Sequence, residues 1–245
     1  MGGRQVVAAR RLLTGTLDEV LSEHELAAAA RSVVAALGSP ERLWELTAEL
    51  ASGEGDPAGC ARLSYRHVLG FDKLLLIDGG PRHMLRAHVW HAGGSAAGRE
   101  DIHNHRSALA SCVVRGRLTM ELYEPRPDGQ IPADRYEESL SGAAADWLLA
   151  PAGPARLRLT HVAQYAAGST YALPAHTLHR AWSDTAGPTV TLFLETGAGR
   201  RATTDVFTGA GPHPAAVPKV PMDEGEYLAA LTALAELVKA GPEIG

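Results

Sequence analysis

Only two cysteines, Cys60 and Cys112, occur among the 245 residues, too few for a disulfide framework. No apolar run approaches the about 20 residues that a membrane span needs. The opening stretch MGGRQVVAARRLLTGT lacks the continuous apolar segment of a secretory signal. Basic residues are not in excess: 23 Lys and Arg stand against 28 Asp and Glu, for a net charge of −5. They are scattered, so the electrostatic footprint of a nucleic-acid binder is missing. Nor is there an internal repeat that would indicate a solenoid or propeller. What remains is 45% hydrophobic and 21% charged, enough to bury a core of one large or two small domains. A cytoplasmic protein that binds neither nucleic acid nor membrane is the expectation.

Helical spacing of Leu17, Val20, Leu21, Leu26, Ala30, Val33, Val34 and Leu37 predicts a helix over Thr16–Leu37, with Asp18 and Glu19 at its acidic start. Gly38-Ser39-Pro40 breaks it. Ser39 then caps, and Pro40 opens, a second helix over about Glu41–Ala51. After the Gly/Pro/Asp stretch Ser52–Gly59 the pattern changes to short β-like runs: FDKLLLID, HMLRAHVWHA, ALASCVVRGRLTMELYE, ARLRLTHVAQY, STYALPA and TVTLFLET. Such runs without intervening helices predict an antiparallel sandwich or barrel. A last helix is predicted over Asp223–Ala240. The expected organisation is a helical extension (1–59), a β-barrel (60–206), and a loop with a closing helix (207–245).

The histidines are clustered. His103-Asn104-His105 lies at the start of one strand pattern, and His176-Thr177-Leu178-His179 follows about seventy residues later. In an extended segment residues i and i+2 project from one face, so His103 and His105 can converge on one ion. His179 from a neighbouring strand completes a facial set that leaves positions open, as catalytic rather than structural metal sites do.

These residues carry a resemblance. IHNHRSALASCVVRGRL resembles the first motif of the cupin superfamily, and GSTYALPAHTLHRAW its second, with His103, His105, Gly116, Gly168, Pro174 and His179 on motif positions. The usual motif glutamate falls on Leu109 or Ala110, the second-motif glycine on His176, and its final Asn on Ser183. The resemblance implies a mainly β fold, the double-stranded β-helix or jelly roll. It also implies one metal ion on His103, His105 and His179: iron(II), with zinc, nickel and manganese as alternatives. A neutral three-histidine set leaves the metal its full charge and favours an anionic or chelating substrate. The set is similar to that of the thiol dioxygenases, in which an Arg before the H-x-H pairs with a substrate carboxylate, and Arg86 is placed similarly. The TVTLFLET strand, however, lacks the active-site Tyr of that group.

Arg86 shares a strand face with Met84, His88 and Trp90 by period-2 alternation, and a guanidinium suits bidentate carboxylate capture. Its alternative role is a barrel-end salt bridge. His88 and His161 are candidates to point into the barrel, and Tyr171 and Arg180 to line its mouth. Cys112 is expected to pack near the site, and His176 to serve either the site or a surface loop. Tyr123 and Glu121 are expected on an outward strand face at least as readily. The leading expectation is a non-haem iron oxygenase using O2 on a small carboxylate- or thiol-bearing metabolite, in a natural-product setting. A non-redox isomerase, lyase or hydrolase, and a non-catalytic small-molecule binder, stay open beside it. Homodimerisation through strand edges or the extra helices is the default assembly.

Overall fold

The structure is a computed structural model that describes residues 3–17, 21–67, 70–92, 101–142, 146–197, 200–209 and 211–240. Four helices open the chain: α1 (Arg4–Thr16), α2 (Glu23–Leu37), α3 (Pro40–Ala51) and α4 (Pro57–Arg62). The single helix expected over Thr16–Leu37 is therefore replaced by α1 and α2; Asp18, Glu19 and Val20 lie outside the described residues. The cause is local. Ser22 and Glu25 form a capping box that starts α2, because the capping residue must adopt an extended backbone. Helix α1 buries Val6, Ala9 and Leu13 along one stripe. Helix α4 begins inside the stretch expected to be a linker, with Asp56 as its cap and Pro57 at its first position.

Thirteen strands follow among the described residues: β1 (Tyr65–Arg66), β2 (Phe71–Asp78), β3 (His83–Trp90), β4 (Ile102–His103), β5 (Leu109–Arg115), β6 (Arg117–Pro125), β7 (Ile131–Leu140), β8 (Asp146–Ala166), β9 (Thr170–Leu173), β10 (Leu178–Ser183), β11 (Thr189–Thr196), β12 (Thr204–Thr208) and β13 (Ala216–Pro218). The last helix is α5 (Glu224–Lys239), opened by an Asp223–Glu226 capping box. All strand pairs are antiparallel. One sheet runs β1-β2-β3-β11-β5-β9, and the other β13-β8-β6-β10-β4-β12-β7, with β7 also pairing β8. The order β3-β11-β5-β9 against β12-β4-β10 is the nested Greek-key order of a jelly roll.

Alternation along the first sheet divides its faces. Leu85, Ala87, Val89, Ala110, Val190, Leu192 and Leu194 point outward, into one core shared with Leu13, Val34, Leu43, Leu46, Tyr227 and Leu231 of the helices. The opposite face turns into the barrel, where Phe71, Trp90, Val113 and Leu118 form one cluster, and Leu109, Met120, Leu173 and Phe193 another. Gly116 (φ +74°) makes the tight β5–β6 turn, and a Cβ there would collide with Thr189 Oγ1. No described helix is long and apolar enough to cross a membrane.

Candidate metal centre

Strand β4 lies between β10 and β12, and its register puts His103 directly opposite both His179 and Val206. Directly opposite residues project to the same face, so two imidazoles from different strands meet. His105, two residues beyond His103, is held as its backbone N–H donates to Ala175 O at 3.1 Å. Between the two, Asn104 clamps β4 to β12. Its Nδ2 donates to Asp205 Oδ2 at 3.0 Å, its Oδ1 accepts from Asp205 N–H at 2.8 Å, and its own N–H donates to Asp205 O at 3.2 Å.

The three rings converge, with centroids 4.8 to 5.2 Å apart and one ligand nitrogen of each within 4.8 Å of the others. Two are oriented from behind: His103 Nδ1 lies 3.0 Å from Asp101 O, and His179 Nδ1 lies 3.1 Å from Thr177 O. A backbone carbonyl only accepts, so each Nδ1 carries the proton and each Nε2 keeps its lone pair for an ion. Burial then removes the competing proton. It pushes His179 down to about 3, and it holds His103 below and His105 well below the ordinary histidine range, with His179 and His103 acting further on His105. Three neutral, pre-oriented imidazoles fit a borderline divalent transition metal. No further His, Cys, Asp or Glu joins the group among the described residues.

A cavity of about 220 Å³ opens on His103 and His105. Its wall carries Arg86, Lys73, Phe193 and Trp147, together with Lys219 from the segment after β13. His179 is 6% exposed and outside that wall. Three acids line the cavity, and each has a basic partner: Asp101 Oδ2 with His213 Nε2 at 2.7 Å, Glu138 with Arg106 at 3.7 Å, and Glu195 with Arg200 at 3.8 Å. Arg86 instead donates from Nη1 to Leu63 O at 2.9 Å and meets Met84 Sδ from Nη2 at 3.1 Å. No carboxylate pairs with it among the described residues, so the salt-bridge alternative for Arg86 has no partner here.

The other candidates lie elsewhere. His88 is buried inside the barrel, stacked on Phe193 with centroids 4.6 Å apart, and is not in the cavity wall. Tyr171 packs beside Tyr165 at 4.8 Å, also away from the cavity. Arg180 follows His179 by one residue, projects to the opposite face, and pairs with Glu121 at 2.5 Å beside Tyr123. Cys112 belongs to the outward core and approaches Gly38 of the helical layer. His161, on β8, and His176 are exposed. Alternation explains Cys112 and Arg180, each on the far face of a strand that contributes to the barrel interior. His67, Lys73, Trp147, His213 and Lys219 also line the cavity, and no motif in the sequence marks them. They sit on β1–β2, β8 and the late Gly/Pro-rich stretch, far from the histidine motifs in the chain.

No protein-family model and no curated protein matches the chain. Among solved structures it is similar to an RmlC-like cupin from Shewanella frigidimarina, at 14% identity and a TM-score of 0.34, covering 55% of this chain and 83% of that one. It is also similar to a hydroquinone 1,2-dioxygenase solved with Cd2+ and 4-hydroxybenzonitrile (14% identity, TM-score 0.31, 51% of this chain and 63% of that one). An oxalate decarboxylase from Lactobacillus farciminis is similar at 10% identity and a TM-score of 0.34, over 57% of this chain and 32% of the decarboxylase. By its own strand order and the spacing of its histidines, this chain has the cupin fold, a jelly-roll barrel with a three-histidine group between its sheets.

Proposed function

We propose that the chain is a mononuclear non-haem iron(II) oxygenase acting with O2 on a small anionic metabolite. One observation carries this reading: three neutral histidines converge without a fourth protein ligand among the described residues, beside a cavity large enough for a small molecule. A closed structural site has four protein ligands, whereas a catalytic one keeps positions free. His103, His105 and His179 would hold the ion, and iron supplies the electron chemistry that a reaction with O2 requires. Arg86 binds a substrate carboxylate, for which its guanidinium has no competing protein carboxylate among the described residues. Phe193, 5.7 Å from His105, gives the site an apolar wall that limits water.

The Asp101–His213 pair favours a second reading. A carboxylate that fixes an imidazole in a cavity wall is equipped to move a proton, which suits a zinc, nickel or manganese isomerase, lyase or hydrolase. Oxygen uptake separates the two. Iron(II)-loaded protein should consume O2 with a panel of small carboxylates and thiols while zinc-loaded protein does not. Turnover of a panel compound by both forms without O2 consumption would reject the oxygenase reading. With an active substrate in hand, Arg86→Gln should raise KM by an amount equivalent to about 1.5–3 kcal/mol of charged hydrogen bonding. An unchanged KM would remove Arg86 from the site.

A further inference from the structure

We propose that the substrate carries two negative charges, one held at Arg86 and the other at a pair of lysines, Lys73 and Lys219, on the side of the cavity where β1 and β2 approach β13. The three wall acids already have basic partners, and none of these three cations has a carboxylate within ion-pair distance among the described residues. The lysines come from opposite sheets. Lys73 lies on β2, opposite Tyr65 of β1, while Lys219 follows β13, whose segment is bridged back to Tyr65 at Pro221. Their ammonium groups share one aromatic floor: Lys219 Nζ is 5.1 Å from the Tyr65 ring and 5.2 Å from Trp147, and Lys73 Nζ is 6.0 Å from Tyr65.

Aromatic faces hold a cation without neutralising it. Three cationic side chains without a carboxylate partner among the described residues thus line one cavity of a chain whose net charge is −5. The crowding acts on Lys219, which is held below the ordinary lysine range first by burial and then by Arg86, Lys73 and Arg106, against a smaller opposing effect of Glu138. Like charges gathered in a partly desolvated cavity repel one another, and a bound anion relieves that repulsion. A monoanion at Arg86 leaves the lysine pair uncompensated; a dianion of suitable length compensates both. The inference rests on the substrate site proposed above, but it concerns recognition, so it is testable on metal-free protein without turnover.

The experiment is calorimetric titration of the full chain, stripped of metal with a chelator, at low ionic strength. The probes are malonate, succinate and glutarate, their monomethyl esters, and inorganic phosphate. At least one dianion should bind about tenfold or more tightly than the corresponding monoanion. Lys73→Gln and Lys219→Gln should abolish that preference, and Lys219→Arg should retain it, which separates lost charge from a disturbed fold. A preference for a dicarboxylate places the two charges on separate groups, whereas a preference for phosphate places them on one phosphoryl group; either supports the proposal when Arg86→Gln weakens it as the lysine changes do, and a preference indifferent to Arg86→Gln overturns it. Equal binding of diacids and half-esters, no binding by any dianion, or a preference that survives the double lysine-to-glutamine change overturns it. Failure of the oxygenase reading would appear in oxygen uptake and leave this titration unaffected.

Discussion

At the scale of single residues, the centre depends on proton placement. Burial holds the three imidazoles neutral, His179 down to about 3. Below the ordinary histidine value of 6.5 the unfolded chain therefore binds protons that the folded chain refuses. More protons bound in the unfolded state means that stability rises with pH, so metal-free protein loses stability as pH falls from about 6.5 toward the folded values. The metal-free melting temperature should drop between about pH 7 and about pH 5, and His179→Gln, which cannot titrate, should flatten that slope. An identical slope in the variant would show that His179 is not held neutral by its surroundings. Asn104 makes a prediction of a different kind. Removing its paired hydrogen bonds to Asp205 in Asn104→Ala should cost about 1–3 kcal/mol and weaken metal affinity, because β4 loses its clamp. Denaturant melts with and without metal measure both effects.

Elements were legible where a pattern was both regular and locally closed. The expected runs FDKLLLID and TVTLFLET coincide with β2 and β11, whose outward and inward positions alternate against two cores. Helix α2 began later than its apolar spacing implied, because the Ser22–Glu25 capping box overrode the periodicity. Strand β7 is not legible in the sequence because IPADRYEESL alternates weakly and most of it is only partly buried or exposed. Strands β12 and β13 are short, in Gly/Pro-rich surroundings, and acquire strand geometry from pairing with β7, β4 and β8. The three histidines were legible because i, i+2 spacing is a local property of a strand. Lys73, Lys219 and His213 were not, since only the topology brings β2 and the late segment to the same cavity. The β5–β6 turn is a test at this scale. Gly116→Ala must adopt a positive φ and meet Thr189, and should destabilise by about 1–3 kcal/mol in a thermal melt.

For the molecule as a whole, helices and barrel share one apolar core, and α5 is tied to β2 where Tyr227 Oη donates to Leu75 O at 2.6 Å. A shared core predicts cooperative unfolding. Far-ultraviolet circular dichroism should therefore melt together with the fluorescence of Trp90 and Trp147. Leu231 is fully buried, so Leu231→Ala should cost about 2–5 kcal/mol and shift that single transition without splitting it. The helical layer covers the outward face of the first sheet, opposite the face that turns toward the cavity. It thus stabilises the strand that carries Arg86 while leaving the site open.

The most direct test of the centre is elemental analysis of anaerobically purified protein beside the His103→Ala/His105→Ala double variant. The geometry predicts about one ion per chain in the wild type, iron on the oxygenase reading, and none in the variant. Equal metal in both proteins, or none in either, would contradict a metal centre at His103, His105 and His179.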